Sequence, residues 1–516
     1  MPLTAAATSI ADLPESGVAS PSGFRRWGPA PWLVLLSAVY LVPTCIRAAR
    51  EKLWFDEIFT FNAATLVPSP GRLWSFLKVD GVFPPLGFVL AAGSESVFGR
   101  SEFGLRFPSV IAFWIMALCV YLYLCRRLPW PYGIAAMLLT SLTAAGRYSY
   151  EARPYAVMLA LAGIALVAWQ AAAEGRRRRP ALVALAVALV GALLSHAMAV
   201  TLALPLLAGE LTRTVQRKRV DWPVWCAFAS ATPALLVLWI LKTAGNASAY
   251  WRFNGSLSLN ILNTYLEMLG PAITPLILAL LAVLVLRGQS TSPAKRALGI
   301  RGYELAALVG FAIIPFVAVP LSTLGGMYFP RYSLNCTIGL AGLIAVLLFR
   351  IGGTNRLSGA AALAAFGMSF VMVQSLPEEK RPDYGLKILN ASEKIQPFLE
   401  RMPSDAPIVI GPAMTFVELE HYSSPGLAAR LYYLTEPAVE AAIDGDVLFD
   451  VKMPMLARFY SFRAHYENYH SFVAAYKRFY VVQPIRKIVR EQSLGRLSLL
   501  CRETAEHFQY YEANPR

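Results

Sequence analysis

The chain has 516 residues, of which 56% are hydrophobic and only 15% are charged, and its mean hydropathy is +0.49. Soluble domains carry about a quarter charged residues, so this composition excludes an ordinary soluble protein and indicates a polytopic membrane protein. The net charge of +15 fits loops that orient membrane spans. It does not indicate a nucleic-acid surface, because no basic tract with interleaved aromatic residues occurs.

Long apolar segments predict the membrane spans, since a helix needs about 20 apolar residues to cross a bilayer. About eleven candidates are found, at roughly 31–48, 104–124, 131–147, 154–173, 180–195, 197–212, 223–243, 270–286, 304–321, 333–349 and 357–375. The fifth and sixth are short and nearly continuous, so a single tight hairpin stays open there. Residues 84–99 are apolar but rich in Gly and Ser, and they predict an interfacial or re-entrant helix.

Positive charge predicts the orientation of these spans. The short loops rich in Lys and Arg all fall on the side of Arg25 and Arg26, in the segment 1–30. We therefore expect 1–30 to be a cytoplasmic tail and the protein to be a multi-pass protein of the inner, cytoplasmic membrane. The first loop, about 49–103, also carries basic residues on the outer side, but long loops follow the rule poorly.

The last part of the chain, 376–516, has a different character from the membrane domain at 31–375. "APIVIG", "LAARLYYL" and "RFYVVQP" predict strands, and "TFVELEHY" predicts a helix. Alternating strand and helix signals favour a small α/β domain, which an odd number of spans places outside the cytoplasm. No glycine-rich phosphate motif opens its helices, so we expect a lid or recognition domain.

Charged and aromatic residues recur in three of the predicted outer loops. The first loop follows a span and contains "REKLWFDEIFTFNAA", the second contains "RYSYEARPYA", and the third contains "GGMYFPRYSL". The candidate site residues in these loops are Asp56, Glu57, Asp80, Arg147, Glu151, Arg153, Tyr328, Arg331 and Tyr332. Charges at a membrane edge need partners, which are either one another or an anionic ligand.

Two interpretations of these loops are open. In the first, the charges form a structural ion-pair network at the helix ends. In the second, they form a site, because a carboxylate can act as general base on a hydroxyl and arginine can hold a phosphate leaving group. Aromatic rings suit sugar faces and prenyl chains. Together these groups fit glycosyl transfer from a lipid phosphate at the outer membrane face.

The motifs "LWFDEIFTF", "PPLGFVL", "SVFGRSEFGLRFPSVI", "YSYEARPYAVMLAL" and "PRYSL", in this order, resemble the GT-C superfamily. The similar members are protein O-mannosyltransferases, lipid A aminoarabinose transferases and bacterial lipopolysaccharide-core galacturonosyltransferases, and the resemblance covers roughly 30–375. It implies a GT-C-like transmembrane domain, a polyprenyl-phosphate sugar donor, and transfer with inversion to a lipid, glycan or protein acceptor.

The resemblance also implies roles for individual residues. Asp56 matches the catalytic carboxylate, and Glu57 matches a neighbour that orients Asp56 or the acceptor. Arg153 and Arg331 match positions near the donor phosphate. Many relatives carry His where this chain has Phe83, which leaves a divalent metal open, and Asp80 either replaces that His or is only a turn residue. His196, in "SHA" at a helix end, is more often a structural group in such a position.

Other functions compete with this interpretation. The main alternative is a polytopic transporter or flippase of lipid-linked sugar, which would place ionisable residues inside the spans and show repeated halves. An O-antigen-ligase-like enzyme and an inactive scaffold that binds lipid-linked sugar are further alternatives. The sequence identifies neither the sugar nor the acceptor.

The alternation of basic loops makes a testable prediction about topology. A reporter fused after residue 516 should report an extracytoplasmic C-terminus, and reporters fused after Arg179 and Arg219 should report the cytoplasm. A cytoplasmic signal from the reporter after residue 516 would require an even number of spans and would place the α/β domain on the wrong side.

Overall fold

The computed structural model describes residues 28–81, 83–245, 257–286, 300–323, 328–376, 391–402, 406–443, 448–460, 462–483, 486–505 and 508–515. Nearly all of the predicted tail 1–30 lies outside these ranges. So do the basic residues between the eighth and ninth predicted spans, at 287–296, and the charged residues 377–385 that follow the last predicted span.

The membrane domain is helical throughout its described part. Its α-helices are Pro29–Arg50 (α1), Phe55–Ala64 (α2), Pro70–Asp80 (α3), Leu86–Phe98 (α4), Glu102–Cys125 (α5), Trp130–Leu142 (α6), Pro154–Ala173 (α7), Arg178–Ser195 (α8), Ala203–Arg217 (α9), Trp222–Ala229 (α10), Thr232–Gly245 (α11), Leu257–Leu269 (α12), Ile273–Leu286 (α13), Gly302–Ala312 (α14), Pro315–Thr323 (α15), Cys336–Gly352 (α16) and Arg356–Ser375 (α17). Short 3₁₀ helices occupy Ala144–Ser149, Ala197–Leu202, Gly270–Ala272 and Pro330–Ser333.

The prediction of a polytopic helical membrane protein is confirmed. Within the described residues, nine helical segments are long and apolar enough to cross a membrane, and each coincides with one of the predicted spans. The remaining two predicted spans correspond to the shorter helices α6, with 13 residues, and α16, with 17. The eighth span is longer than predicted, because α12 and α13 continue each other through the 3₁₀ turn at Gly270–Ala272.

The structure also answers two local questions. Residues 178–217 form two helical segments that meet at Ser195 and His196. Each is long and apolar enough to cross a membrane, which favours two spans over a single tight hairpin. The segment predicted as an interfacial or re-entrant helix forms α4, which has 13 residues and therefore lacks the length of a span.

The end of α3 shows how closely the loops are packed. Gly81 ends the helix in the left-handed conformation, with φ of 66°, which glycine adopts without steric cost. A Cβ atom added to Gly81 would lie 2.5 Å from the Cα atom of Gly245, at the end of α11. The two backbones can therefore meet only because both residues are glycine.

Ion pairs hold the end of the helix bundle that lies opposite the three motif loops. Arg127 donates to Glu304 at 2.7 Å and also pairs with Glu174. Arg213 bridges Glu210 and Asp221, at 2.8 Å to each. These charges are largely buried and paired with one another, as charged groups near a membrane interior have to be.

The last part of the chain forms an α/β unit, as predicted. Its strands are Ile408–Ile410 (β1), Leu431–Thr435 (β2), His465–Asn468 (β3), Phe479–Val482 (β4), Leu497–Ala505 (β5) and Phe508–Pro515 (β6). Its helices are Ala391–Lys394 (α18), Gln396–Leu399 (α19), Ala413–Tyr422 (α20), Pro425–Ala428 (α21), Pro437–Ile443 (α22), Leu448–Leu456 (α23), Tyr469–Ala475 (α24) and Arg486–Ser493 (α25). The strand order is β3-β2-β1-β4-β6-β5, with β1 to β4 parallel and β5 and β6 antiparallel.

This α/β unit packs on the first loop of the membrane domain. The Tyr422 hydroxyl accepts a hydrogen bond from the Leu53 backbone N–H at 2.6 Å and donates one to Glu102 at 3.1 Å. Lys452 donates to the backbone carbonyl of Asp80. Phe76 lies edge-on to Phe459, with ring centroids 5.6 Å apart. The α/β unit therefore touches both α2 and α3, where the motif residues lie.

Candidate active site

The adjacent carboxylates of Asp56 and Glu57 lie in the first turn of α2, which Trp54 caps. Carboxylates are favoured there, since a helix N-terminus carries partial positive charge. Their surroundings differ completely. The Glu57 side chain is fully buried, whereas 22% of the Asp56 side chain is exposed. The pair therefore divides into an inward and an outward carboxylate.

Glu57 is held from several directions. Arg106 donates from Nε to Oε1 at 2.7 Å and from Nη2 to Oε2 at 2.5 Å, and the backbone N–H of Ala152 also donates to Oε1, at 2.7 Å. Both carboxylate oxygens are thus occupied by the protein itself. Glu57 is placed to position the loops, and it has little capacity left for a substrate.

Arg106 extends this clamp to the preceding helix. Its guanidinium also donates to the backbone carbonyls of Ala48, Glu51 and Lys52, where α1 ends. Sequence reasoning missed this residue, although an arginine within the apolar run "FGLRFPSVI" is a signal, because a charge there needs a buried partner.

Asp56 faces a different arginine. Its Oδ2 atom lies 2.9 Å from Nη2 of Arg153, whose side chain is 5% exposed. The Arg153 guanidinium also lies against two rings, 5.3 Å from the centroid of Trp54 and 4.9 Å from that of Tyr155. Burial lowers the pKa of Arg153, but the groups around it, Asp56 first among them, together outweigh burial, and the pKa is raised above its ordinary value. Arg153 therefore stays charged.

Arg147 and Glu151 pair with each other in the same loop. Arg147 donates to Glu151 at 2.5 Å, and Glu151 is 4% exposed. Burial raises the pKa of Glu151, although Arg147 and Arg153 oppose the shift. The two residues thus supply a second buried pair beside Arg153.

Aromatic rings connect Arg153 to the third motif loop. Tyr155 packs on His196, with centroids 4.9 Å apart, and His196 packs on Tyr332 at 5.9 Å. The neighbouring Arg331 places its guanidinium 3.8 Å from the Phe329 ring centroid. The fold therefore brings Arg153 and Arg331 to opposite ends of one short row of rings.

His196 is neutral in this row. Burial and the charges of Arg153 and Arg331 lower its pKa to about 3. Its Nδ1 atom accepts a hydrogen bond from the Met198 backbone N–H at 3.0 Å, so the proton of the neutral ring is on Nε2. Its neutral ring separates two cations without adding charge.

The two other predicted residues have structural contacts. The Tyr328 hydroxyl bonds to Thr264 at 2.6 Å and to Ser333 at 3.0 Å, and thereby joins α12 to the third loop. Asp80 accepts a hydrogen bond from the Phe83 backbone N–H at 2.8 Å. It holds a turn, while Phe83 and Pro84 of that turn line the cleft described next.

A cleft runs past Asp56 between α2, α4, α5 and α7. Asp56 and Arg153 are the charged residues among those that line it. Most of the other lining residues are apolar: Phe83, Pro84, Gly87, Phe88, Leu90, Ala91, Leu105, Pro108, Ala152, Pro154 and Val157. The arrangement offers a partly exposed carboxylate and a cation beside an apolar channel.

Metal ligands are not grouped in the part of the chain that the structure describes, since no three His, Cys, Asp or Glu side chains there are arranged to hold an ion.

Comparison with known proteins supports the architecture. A profile of the family described as dolichyl-phosphate-mannose-protein mannosyltransferase matches residues 83–241. ArnT from Cupriavidus metallidurans in the apo state superposes with a TM-score of 0.57 at 13% identity, over 94% of this chain and 98% of that chain. ArnT bound to undecaprenyl phosphate superposes over the same shares, with a TM-score of 0.56 at 15% identity.

This chain has the GT-C fold. The resemblance predicted from the motifs is thereby confirmed for the architecture, including a helical membrane domain followed by an α/β unit. The oligosaccharyltransferase AglB from Archaeoglobus fulgidus matches at a TM-score of 0.44 with 13% identity, over 89% of this chain and 70% of that chain. A search of curated proteins finds no significant match.

The Glu57–Arg106 clamp makes a prediction about stability. Replacing Arg106 with Leu leaves Glu57 buried without its cation, which should lower the free energy of unfolding by about 3–5 kcal/mol. Arg100→Leu is the matched control, because the Arg100 side chain is 46% exposed and lies 3.9 Å from Glu95. It should cost about 1 kcal/mol or less. Thermal unfolding in detergent checks this, and equal losses from the two variants would contradict the clamp.

Proposed function

We propose that this protein transfers a monosaccharide from a polyprenyl-phosphate-linked donor to a hydroxyl group of an envelope glycolipid, polysaccharide or protein, with inversion, at the outer face of the cytoplasmic membrane. The observation that carries this proposal is the pairing of the partly exposed Asp56 carboxylate with Arg153 in a mostly apolar cleft. A carboxylate can accept the proton of a hydroxyl, a cation can bind a phosphate, and apolar walls can contact a prenyl chain. The structure of ArnT bound to undecaprenyl phosphate supports the lipid-phosphate class of donor.

The chemistry assigns one task to each group. Asp56 removes the proton from the acceptor hydroxyl, whose oxygen attacks the anomeric carbon. The bond from that carbon to the phosphate oxygen breaks on the opposite face, and polyprenyl phosphate leaves with the electron pair. Arg153 stabilises the negative charge that develops on this phosphate. Attack from the face opposite the leaving group produces inversion.

The contact between Asp56 and Arg153 gives the reaction an order. While the two residues form an ion pair, one oxygen of the Asp56 carboxylate is engaged by the Arg153 guanidinium at 2.9 Å. A donor phosphate that takes over the Arg153 guanidinium releases Asp56 for the acceptor. The carboxylate is therefore free to accept the proton of the acceptor hydroxyl only after the donor has bound.

Arg331 is the second proposed phosphate contact. Its Nε atom is buried and has no hydrogen-bond partner among the described residues. A buried donor without a partner is costly, at about 1–3 kcal/mol and more for a charged group. An anionic ligand between Arg331 and Arg153 would supply the missing acceptor, and Nε2–H of His196 lies between these two cations to donate as well.

Transport of the lipid-linked sugar fits the structure less well. A transporter places ionisable groups near the midplane, where they contact the cargo. In the described residues, Glu210 and Glu304 are fully buried in span helices, but both are bound by arginines at the end opposite the motif loops. Such paired groups are placed to anchor helices.

The role of Asp56 is tested by comparing two isosteric changes. Asp56→Asn cannot accept the proton, so transfer should fall by about 100- to 10,000-fold, with donor binding retained. Glu57→Gln should reduce stability and expression, yet the folded fraction should retain much more activity than Asp56→Asn. Release of polyprenyl phosphate by purified protein, normalised to folded protein, measures both. Full activity in both variants would place the base elsewhere, with Glu151 the next candidate.

The cleft makes a prediction about the donor. It is narrow, with a free volume of about 30 Å³, so a bound ligand has to separate its walls. Gly87 lines it, and a Cβ atom there would meet Pro154 only at 3.8 Å. Gly87→Leu should therefore fold but obstruct the cleft, and transfer should fall by roughly 100-fold, the scale of a misplaced substrate.

Gly93→Leu is the matched control for Gly87→Leu. Gly93 lies on the same helix, is exposed, and has no atom within 4 Å of an added Cβ. Both changes replace Gly with Leu on one helix, so a difference in transfer per folded protein reports the cleft. Equal activity of the two variants would show that the donor does not use it.

A further inference from the structure

Glu267 is a charged residue of the membrane domain that the proposed reaction does not use. It lies on α12, within the helical segment Leu257–Leu286, which has 30 residues. A helix of that length extends about 45 Å, whereas the apolar core of a bilayer is about 30 Å thick. The first half of the segment carries the polar residues Asn260, Asn263 and Thr264 besides the exposed Glu267. The excess length therefore belongs at the membrane boundary, on the side of the motif loops.

Helix α12 holds Glu267 beside the second and third motif loops. The helix packs on the 3₁₀ turns Ala144–Ser149 and Pro330–Ser333, which belong to these loops. Thr264 bonds to the Tyr328 hydroxyl at 2.6 Å and so fixes the helix to the third loop. Residues three apart on a helix are neighbours on its surface, so Glu267 lies next to this contact.

The charges around Glu267 show which side chains are near its carboxylate. Arg331 and Arg147 are the cations close enough to act on it, Arg331 the more strongly. Burial raises the pKa of the Tyr328 hydroxyl, and Glu267 adds a smaller effect in the same direction. The carboxylate is therefore within electrostatic reach of the loop that carries Arg331.

Arg331 and Glu267 are opposite charges that do not close into an ion pair. Neither forms an ion pair with any residue that the structure describes, and both are accessible, since Arg331 is half-buried and Glu267 is exposed. By contrast, Arg153 pairs with Asp56 at 2.9 Å. Arg331 therefore keeps its charge for an anionic ligand, and a ligand bound there is repelled by Glu267.

The two lipid phosphates of the proposed reaction differ in charge. A polyprenyl-phosphate sugar is a phosphodiester and carries one negative charge. The polyprenyl phosphate that leaves is a phosphomonoester, whose second pKa of about 6 gives it a charge of about −1.5 to −2 at neutral pH. A nearby carboxylate therefore repels the product more strongly than the donor.

We propose that Glu267 distinguishes the two lipid phosphates by charge, so that the phosphodiester donor is retained beside Arg331 and the phosphomonoester product is released. Arg331 attracts both lipids, and Glu267 supplies the difference between them. Product release limits turnover in many enzymes, so a charge that lowers the affinity for product raises turnover. This inference rests on the proposed transferase function, because it uses the phosphate contact assigned there to Arg331.

Binding is tested on the full-length protein in detergent, without turnover. The probes are farnesyl phosphate, a monoester, and methyl farnesyl phosphate, the corresponding diester. In calorimetric titrations near pH 8, Glu267→Gln should bind the monoester about tenfold more tightly than the unchanged protein does, and the diester about threefold more tightly. The two gains differ because the repulsion is proportional to the charge of the ligand.

Two further variants serve as controls. Glu267→Asp keeps the charge and should retain the difference between monoester and diester that the unchanged protein shows. Glu400→Gln removes an exposed carboxylate of the α/β unit and should leave both affinities unchanged. In transfer assays, added polyprenyl phosphate should inhibit Glu267→Gln more strongly than the unchanged protein.

The dependence on pH separates repulsion from a change of shape. As the pH falls from about 8 to about 5.5, the monoester and Glu267 take up protons, so the gain for the monoester should shrink to about threefold or less. The titratable residues on the loop segments packed against α12 are Arg147, Tyr148, Tyr328, Arg331 and Tyr332, which keep their protons over this range. Helix α15 and the turn Gly270–Ala272, which also pack on α12, carry no titratable residue.

The outcomes separate this inference from the proposed function. Equal gains for the monoester and the diester, a gain that does not change with pH, or weaker binding of both by Glu267→Gln would overturn the role of Glu267 and leave the donor site in place. If the unchanged protein binds neither probe, the proposed donor contact at Arg331 is wrong and the inference falls with it.

Discussion

The buried pair of Glu57 and Arg106 is the contact on which the arrangement of the site depends. A carboxylate and a guanidinium removed from water are stable together only when nearly all of their bonding capacity is used. Here the carboxylate receives four hydrogen bonds, two from Arg106 and one each from the backbone N–H groups of Ala152 and Trp54. The guanidinium reaches three backbone carbonyls besides. One pair thereby fixes the end of α1, the start of α2, the first turns of α5 and the loop at Ala152.

The same contact explains why two adjacent acids are needed. Successive residues of a helix point about 100° apart, so when Glu57 is directed into the protein, Asp56 has to face outward. Asp56 then meets Arg153, whose guanidinium is wedged between Trp54 and Tyr155. The inward acid sets the direction of the outward one, and rigid support of this kind is what an effective general base requires.

Sequence alone predicts much of the fold because lipid imposes strict conditions on it. Every spanning segment has to be apolar and helical, so the spans are visible as long apolar runs. Strands β1, β2 and β4 are short apolar runs as well. The helix α12 escaped prediction because "LNILNTYLEML" carries polar residues, and β5 and β6 escaped because their polar residues resemble loops.

The site was predicted less completely, for a physical reason. The loops that meet are identifiable because each combines charge with aromatic residues at a membrane edge. Which of these charged residues form ion pairs depends on their distances in the folded structure. Glu57 meets Arg106, 49 residues away, whereas the adjacent Asp56 meets Arg153. No local pattern separates these partners, so only the folded chain shows that Glu57 is buried against Arg106 while Asp56 is partly exposed beside Arg153.

The hydrogen bond between Leu53 and Tyr422 has a consequence for how the protein is made. It joins residues 369 positions apart, and Tyr422 follows every membrane helix in the order of synthesis. The first loop is therefore synthesised long before Tyr422, the residue that contacts it. Between the synthesis of Ser375, where α17 ends, and that of Tyr422, the nascent chain has its membrane helices but lacks this contact. The first loop is therefore completed only when the final unit has folded onto it.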